Sequence, residues 1–190
     1  MCPALPPVAD PTAEDLARAA EARQRFPQCQ SRPMCLISIR EQALHLLEED
    51  QVIRSWPVST SRYGIGGQND SMKTPTGAHR IAECIGDDAA LHTVFKGRVA
   101  QSEAAEIETE PRATGRECIT TRILWLDGLE PGVNKDGDMD SHQRYIYIHG
   151  THEEGLIGQA ASIGCVRMRG IDVIELFARV SVDTLVLILP

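Results

Sequence analysis

From Met34 the side chains alternate with the period of a β-strand. Leu36, Ser38 and Arg40 interleave with Cys35, Ile37 and Ile39, so successive residues address opposite faces of a sheet. Residues 43–48 and 52–60 follow after short polar turns at Glu41-Gln42 and Glu49-Asp50, which predicts a meander of three antiparallel strands. Further strands are expected at 78–85, 92–99, 119–126, 145–149 and 184–189. Residues 61–77, punctuated by glycines, read as a loop, and residues 100–117, polar and without period, as a lid or binding loop. Helical spacing occurs at 12–26, where Thr12 and Asp15 form a capping-box pattern with little apolar bulk behind it. It recurs at 171–180, where residues 171, 174, 177 and 178 form an apolar stripe and Asp172 meets the helix dipole. The expected class is mostly β (α+β), with peripheral helices.

A chain of 190 residues suits one domain with an extension, and one that buries about 70% of its unfolded surface needs no disulfide or metal to fold. Residues 1–33 read as a proline-rich tail with an appended helix, and 34–190 as the main domain. The excess of 27 acidic over 19 basic residues argues against nucleic acid as a partner, because its binders cluster basic charge. No apolar run approaches the roughly 18 residues of a membrane span. The amino terminus lacks the basic, apolar and small-residue regions of a secretory signal, so the chain as written is expected to be cytosolic or to have lost a leader. Cys2 would suit a lipid anchor, or simply lie near a frayed end. The six cysteines admit a disulfide set, a metal site or one working thiol.

The chemistry concentrates in residues 145–168. In an extended strand Tyr145, Tyr147 and His149 face one way while Ile146 and Ile148 anchor the other face in the core. Gly150 then lets the chain turn. Sixteen residues after His149 comes Cys165, preceded by Gly164 and flanked by Ser162 and Arg167. A cysteine after a glycine turn can expose its sulfur and free its backbone N–H, as a nucleophile with an oxyanion hole requires. Arg167 would favour thiolate, and His149 could take the proton. A buried structural cysteine beside a hydrogen-bonded histidine would show the same spacing.

This segment resembles the active-site motif of the YkuD-type L,D-transpeptidase family through His149, Gly150, Thr151, Gly158, Ser162, Gly164, Cys165, Val166 and Arg167. Pro57-Val58-Ser59-Thr60, Thr74-Pro75-Thr76-Gly77 and Arg144-Tyr145-Ile146-Tyr147 extend the similarity across roughly residues 34–190. The resemblance implies a β-sandwich of mixed sheets and a cysteine acyl-transfer enzyme without cofactor or metal. Its partners would be peptidoglycan stem peptides in the periplasm or cell envelope, in the service of cell-wall organisation and cell shape. Such enzymes cut between the third and fourth residues of a tetrapeptide stem, release D-alanine and pass the acyl group to an amine or water. Mapped by position, Cys165 would be the nucleophile and His149 the base. The amides of Gly164 and Cys165 would form the oxyanion hole, with Ser162, Gly150 and Arg167 organising the site. Tyr147, Thr151 and Arg167 would meet substrate. The family's usual histidine two residues before the cysteine is Ile163 here, which leaves the Cys165–His149 pair intact but bears on the choice of acceptor.

Competing readings are a hydrolytic relative, such as a secreted antibacterial effector, and a catalytically silent wall-binding module. His149, His152 and Cys165 could be three zinc ligands, but no fourth lies nearby. Asn134, Asp136, Asp138 and Asp140 alternate like a calcium loop, yet Met139 and Tyr145 stand where an EF-hand needs Gly and Glu. Trp56 and Trp125 read as core, and Tyr63 with Gly64, Gly66 and Gly67 as a mobile loop or substrate lip. If Cys165 stays a thiol and Cys2 carries lipid, Cys29, Cys35, Cys84 and Cys118 remain to pair, Cys29 and Cys35 being closest in sequence.

Overall fold

A computed structural model describes residues 8–29, 33–49 and 51–190. Cys2, most of the proline-rich tail, and Asp50 of the second turn lie outside the described residues. The expected meander is present: β1 (Pro33–Ser38), β2 (Ala43–Glu48) and β3 (Gln51–Pro57) pair antiparallel in sequence. The last strand, β10 (Leu185–Leu189), returns to lie parallel beside β1. Beyond it come β4 (Gly77–Ile85) and β7 (Ile119–Gly128). At β7 the sheet branches, to β5 (Thr93–Lys96) and β6 (Val99–Ala104) one way and to β8 (Tyr147–Thr151) and β9 (Val166–Met168) the other. All ten strands form one mixed network. A register shift in β7, where Thr121 has a φ of +68°, lets the strand bend as it changes partners.

Two apolar layers explain why β1 and β10 read as nearly unbroken hydrophobic runs. On one face Ile37, Leu46, Val186 and Ile188 share a core with Ile146 and Ile148, with Val166 and Met168, and with Val173 and Leu176 of α2 (Gly170–Phe177). On the other, Met34, Leu36, Leu187 and Leu189 pack against Ala19, Ala22 and Phe26 of α1 (Ala13–Arg25) and the following Cys29. Helix α1 begins as its sequence predicts. Thr12 accepts the Asp15 N–H at 3.1 Å and the Asp15 carboxylate accepts the Thr12 N–H at 3.0 Å. The five described cysteines are all free. Cys29 and Cys35 do not pair because they pack in different layers, on opposite faces of β1.

Three expectations change. The stretch at 100–117 is not wholly loop, because a turn at Gly97-Arg98, with φ of +55° and +68°, folds β6 back onto β5. Strand β6 is an exposed polar edge, so no apolar alternation announces it. Residue Tyr145 leaves the strand, with a φ of +55°, and β8 begins at Tyr147. Val58-Ser59-Thr60 lie beyond β3, where Ser59 exchanges backbone hydrogen bonds of 2.9 Å with Arg167. They therefore brace β9.

Candidate active site

Cys165 closes a tight turn between Ser162 and β9. The Ser162 hydroxyl donates to the Cys165 carbonyl at 2.6 Å and accepts the Gly164 N–H at 3.2 Å. The Thr74 hydroxyl donates to the Gly164 carbonyl at 2.9 Å, while the Ser162 N–H donates to the Thr60 carbonyl at 2.9 Å. Thus the Val-Ser-Thr and Thr-Pro-Thr-Gly segments, distant in sequence, hold the cysteine loop. Gly164 has a φ of +134°, which a side chain would resist. At Gly150 the constraint is space, since a Cβ would lie 2.7 Å from the Thr120 carbonyl oxygen of β7.

The half-buried Cys165 Sγ accepts the Tyr147 N–H and donates to the Tyr145 carbonyl, each at 3.4 Å. Burial pushes this thiol up to about 11, against the Tyr147 N–H, which favours the thiolate. Glu117 opposes the thiolate; Arg167 and Arg144 support it. His149 is buried, with Nδ1 at 2.8 Å from the Gly150 carbonyl. A carbonyl only accepts, so Nδ1 carries the hydrogen and Nε2 is left as an acceptor. Burial draws this imidazole down to about 4. At neutral pH the resting pair is therefore thiol and neutral imidazole, with the Sγ hydrogen bonds directed to the backbone of Tyr145 and Tyr147 rather than to the ring.

Cys165, His149 and Tyr147 line one cleft of about 340 Å³, together with Asp70, Glu117, Arg144 and the apolar Phe95, Ile119 and Ile163. Behind it Trp125 stacks on His142 at 4.1 Å and meets Tyr147 edge-on at 5.6 Å. Arg98 lies 4.7 Å over Trp125 and donates to the Tyr147 hydroxyl at 3.3 Å, fixing this aromatic wall. A second cleft of about 260 Å³, lined by Arg62, Tyr63 and Arg116, shares Met72, Glu117 and Ile163 with the first.

Other sequence-predicted residues take different places. Ser162 and Gly150 support the site from behind. Thr151 is buried outside the cleft and its hydroxyl accepts the Glu153 N–H at 3.1 Å. Arg167 is not among the residues that line the cleft. It is 2% exposed, and its Nη1 and Nη2 donate to Glu153 and Glu117, because a buried guanidinium requires counter-charge. The Gly164 N–H is engaged by Ser162, which leaves the Cys165 N–H as the donor of that pair without a partner among the described residues. His152 turns to Thr114, at 2.8 Å, and among the described residues no three potential metal ligands gather. Asn134 is buried and donates to the Thr76 and Ala78 carbonyls, which gives the 134–140 segment a structural role. Trp56 is buried, with Nε1 donating to Glu175 at 3.1 Å.

Among the cleft residues that sequence reasoning missed, Arg144 and Glu117 lie closest to the chemistry, since both act on the Cys165 thiol. Arg144, named above only as part of a motif, donates to the Lys73 carbonyl at 2.8 Å and makes no ion pair among the described residues. Glu117 ends the stretch read as a lid or binding loop, in which no pattern singled out one residue.

The chain matches the family model of the YkuD L,D-transpeptidase catalytic domain over residues 33–188. It belongs to that family. Among solved structures it is similar to the L,D-transpeptidase (residues 123–326) from Xylanimonas cellulosilytica, at 16% identity and a TM-score of 0.51 over 84% of this chain and 61% of that one. It is also similar to an L,D-transpeptidase from Mycobacterium smegmatis, at 13% identity and 0.50 over 84% and 59%. A third similar structure is LdtMt1 in complex with imipenem, at 14% identity and 0.50 over 83% and 59%. The chain spans about three fifths of the length of these structures, and at such identities the likeness speaks for the fold. No curated protein matches it.

Proposed function

We propose that this protein is a cysteine acyltransferase, an L,D-transpeptidase acting on peptidoglycan tetrapeptide stems in the cell envelope. The observation that carries the proposal is that Cys165 and His149 line one cleft within a chain of this family. In the proposed reaction Sγ attacks the carbonyl of the third stem residue while its proton passes to His149 Nε2. The new S–C bond leaves a tetrahedral oxyanion, toward which the Cys165 N–H is the available backbone donor. His149 returns the proton to the amide nitrogen as the C–N bond breaks and D-alanine departs. An acceptor amine then attacks the thioester, loses a proton to His149 and releases the Sγ, which recovers that proton. Holding Nδ1–H on the Gly150 carbonyl keeps one tautomer in place throughout.

The test is incubation with a tetrapeptide stem and an amine acceptor, following D-alanine release and the cross-linked product. Release by the intact protein and its loss in Cys165→Ala are expected. No release by folded protein would overturn the proposal. Labelling of Cys165 by imipenem, seen as a mass shift absent from Cys165→Ala, provides a second readout.

A further inference from the structure

The two groups that hold the Cys165 thiol are backbone atoms of residues whose side chains share one partner. Sγ accepts the Tyr147 N–H and donates to the Tyr145 carbonyl. Arg98, from the tip of the β5–β6 turn, donates to the Tyr147 hydroxyl at 3.3 Å and lies 5.2 Å over the Tyr145 ring. The same guanidinium lies 4.7 Å over Trp125, whose Nε1 donates to the His142 carbonyl at 3.1 Å. Trp125 is thus anchored from one side, and Arg98 closes the aromatic cluster from the other.

The placing of Arg98 is costly for the chain. Its turn has two residues, between the paired Lys96 and Val99, and both take positive φ. Asparagine and glycine suit such a turn, whereas an arginine there is held in a conformation that its Cβ resists. The half-buried guanidinium makes no ion pair among the described residues, although Glu83 attracts it. Its hydrogen bond and both ring contacts go to the aromatic cluster. Tyr145 depends on such support. It precedes β8, outside the ladder, with its own φ of +55°, and it is half exposed.

We propose that Arg98 is a positioning residue for Cys165: by gripping the Tyr145 ring and the Tyr147 hydroxyl, it keeps the Tyr145 carbonyl and the Tyr147 N–H on the thiol. Its effect on turnover rests on the function proposed above; its hold on the thiol does not. So held, Sγ keeps one orientation in the cleft it shares with His149 and retains the amide that favours its thiolate.

The test reads the thiol and the turnover separately, in the full chain. The infrared S–H stretching band of Cys165 is isolated by subtracting, in each background, the spectrum of the same chain carrying Cys165→Ala. In Arg98→Ala the band should move to higher frequency, as the S–H group loses its carbonyl acceptor. D-alanine release should show kcat lower by about tenfold with KM little changed, the equivalent of one modest hydrogen bond lost from the transition state. Arg98→Lys, which keeps a cation and a donor near the rings, should restore most of both. Lys96→Ala, which breaks the hairpin's own Lys96–Glu103 pair at 3.1 Å and leaves the cluster intact, should change neither. An unmoved band in Arg98→Ala, an unchanged kcat, no recovery in Arg98→Lys, or equal losses in Lys96→Ala would overturn the proposal. Release by the unmodified protein with an unmoved band in Arg98→Ala removes the role of Arg98 alone. A moved band without any release removes the reaction and leaves the positioning role.

Discussion

Cys35 and Cys165 are both thiols that burial pushes far up, to about 12 and about 11, yet they stand in unlike surroundings. Cys35 is at the middle of β1, opposite Leu46 and Val186, and desolvation is the only influence on it. Cys165 borders an open cleft, and the Tyr147 N–H, Arg167 and Arg144 all act to favour its thiolate. The difference teaches that a raised thiol does not separate a packing cysteine from a candidate nucleophile. What separates them is polar support on one side and access on the other.

The largest expected effect is on turnover. Cys165→Ala should reduce D-alanine release by about 10³-fold or more, because no other thiol among the described residues lines the cleft. Cys35→Ala should leave release intact. A loss of activity in Cys35→Ala with unchanged stability would break the contrast.

The pH profile sharpens it next. With imidazole near 4 and thiol near 11, kcat/KM should be level between these limits and fall as pH drops through about 4. A narrow bell centred near neutrality would instead indicate a resting thiolate–imidazolium pair. The same histidine affects stability. Its folded value of about 4 lies below its ordinary 6.5, so the unfolded chain takes up the proton first. That contribution is complete above pH 6.5 and is lost as pH falls through about 4. His79, buried between the Gly77 carbonyl and the Ser141 hydroxyl and also drawn down to about 4, acts in the same sense. Urea midpoints at pH 7, 5 and 4 should fall in that order.

The smallest effect is the packing cost of Cys35→Ala. Removing one buried sulfur should destabilise by about 1–2 kcal/mol, read from urea unfolding at pH 7. A change of much larger size would mean that Cys35 holds more than its share of the inner layer.

Much of this was legible in the residues. Short apolar runs from Met34, separated by polar turns, marked the meander, because strand length and turn residues are local signals. The capping box at Thr12 and Asp15 is local and needs no tertiary partner. His149 and Cys165 stood out because a glycine beside each leaves a readable signature, although Gly150 continues β8 between Thr120 and Met168 rather than turning the chain as expected. Strand β9, with three residues, is too short to show a period, and β6, polar on an exposed edge, has none.

The sequence by itself determined the mostly-β class and the family resemblance, and it singled out Cys165 and His149 as candidates, since each rests on residue type and short-range spacing. Tertiary structure alone decided that Arg167 is sealed between Glu117 and Glu153, that Ser162 takes the Gly164 amide, and that Arg144 faces the cleft. Those outcomes depend on charges and hydrogen-bond partners contributed by different loops. A buried cation or amide is satisfied by whichever partner the fold brings within reach, and sequence distance carries no record of that choice.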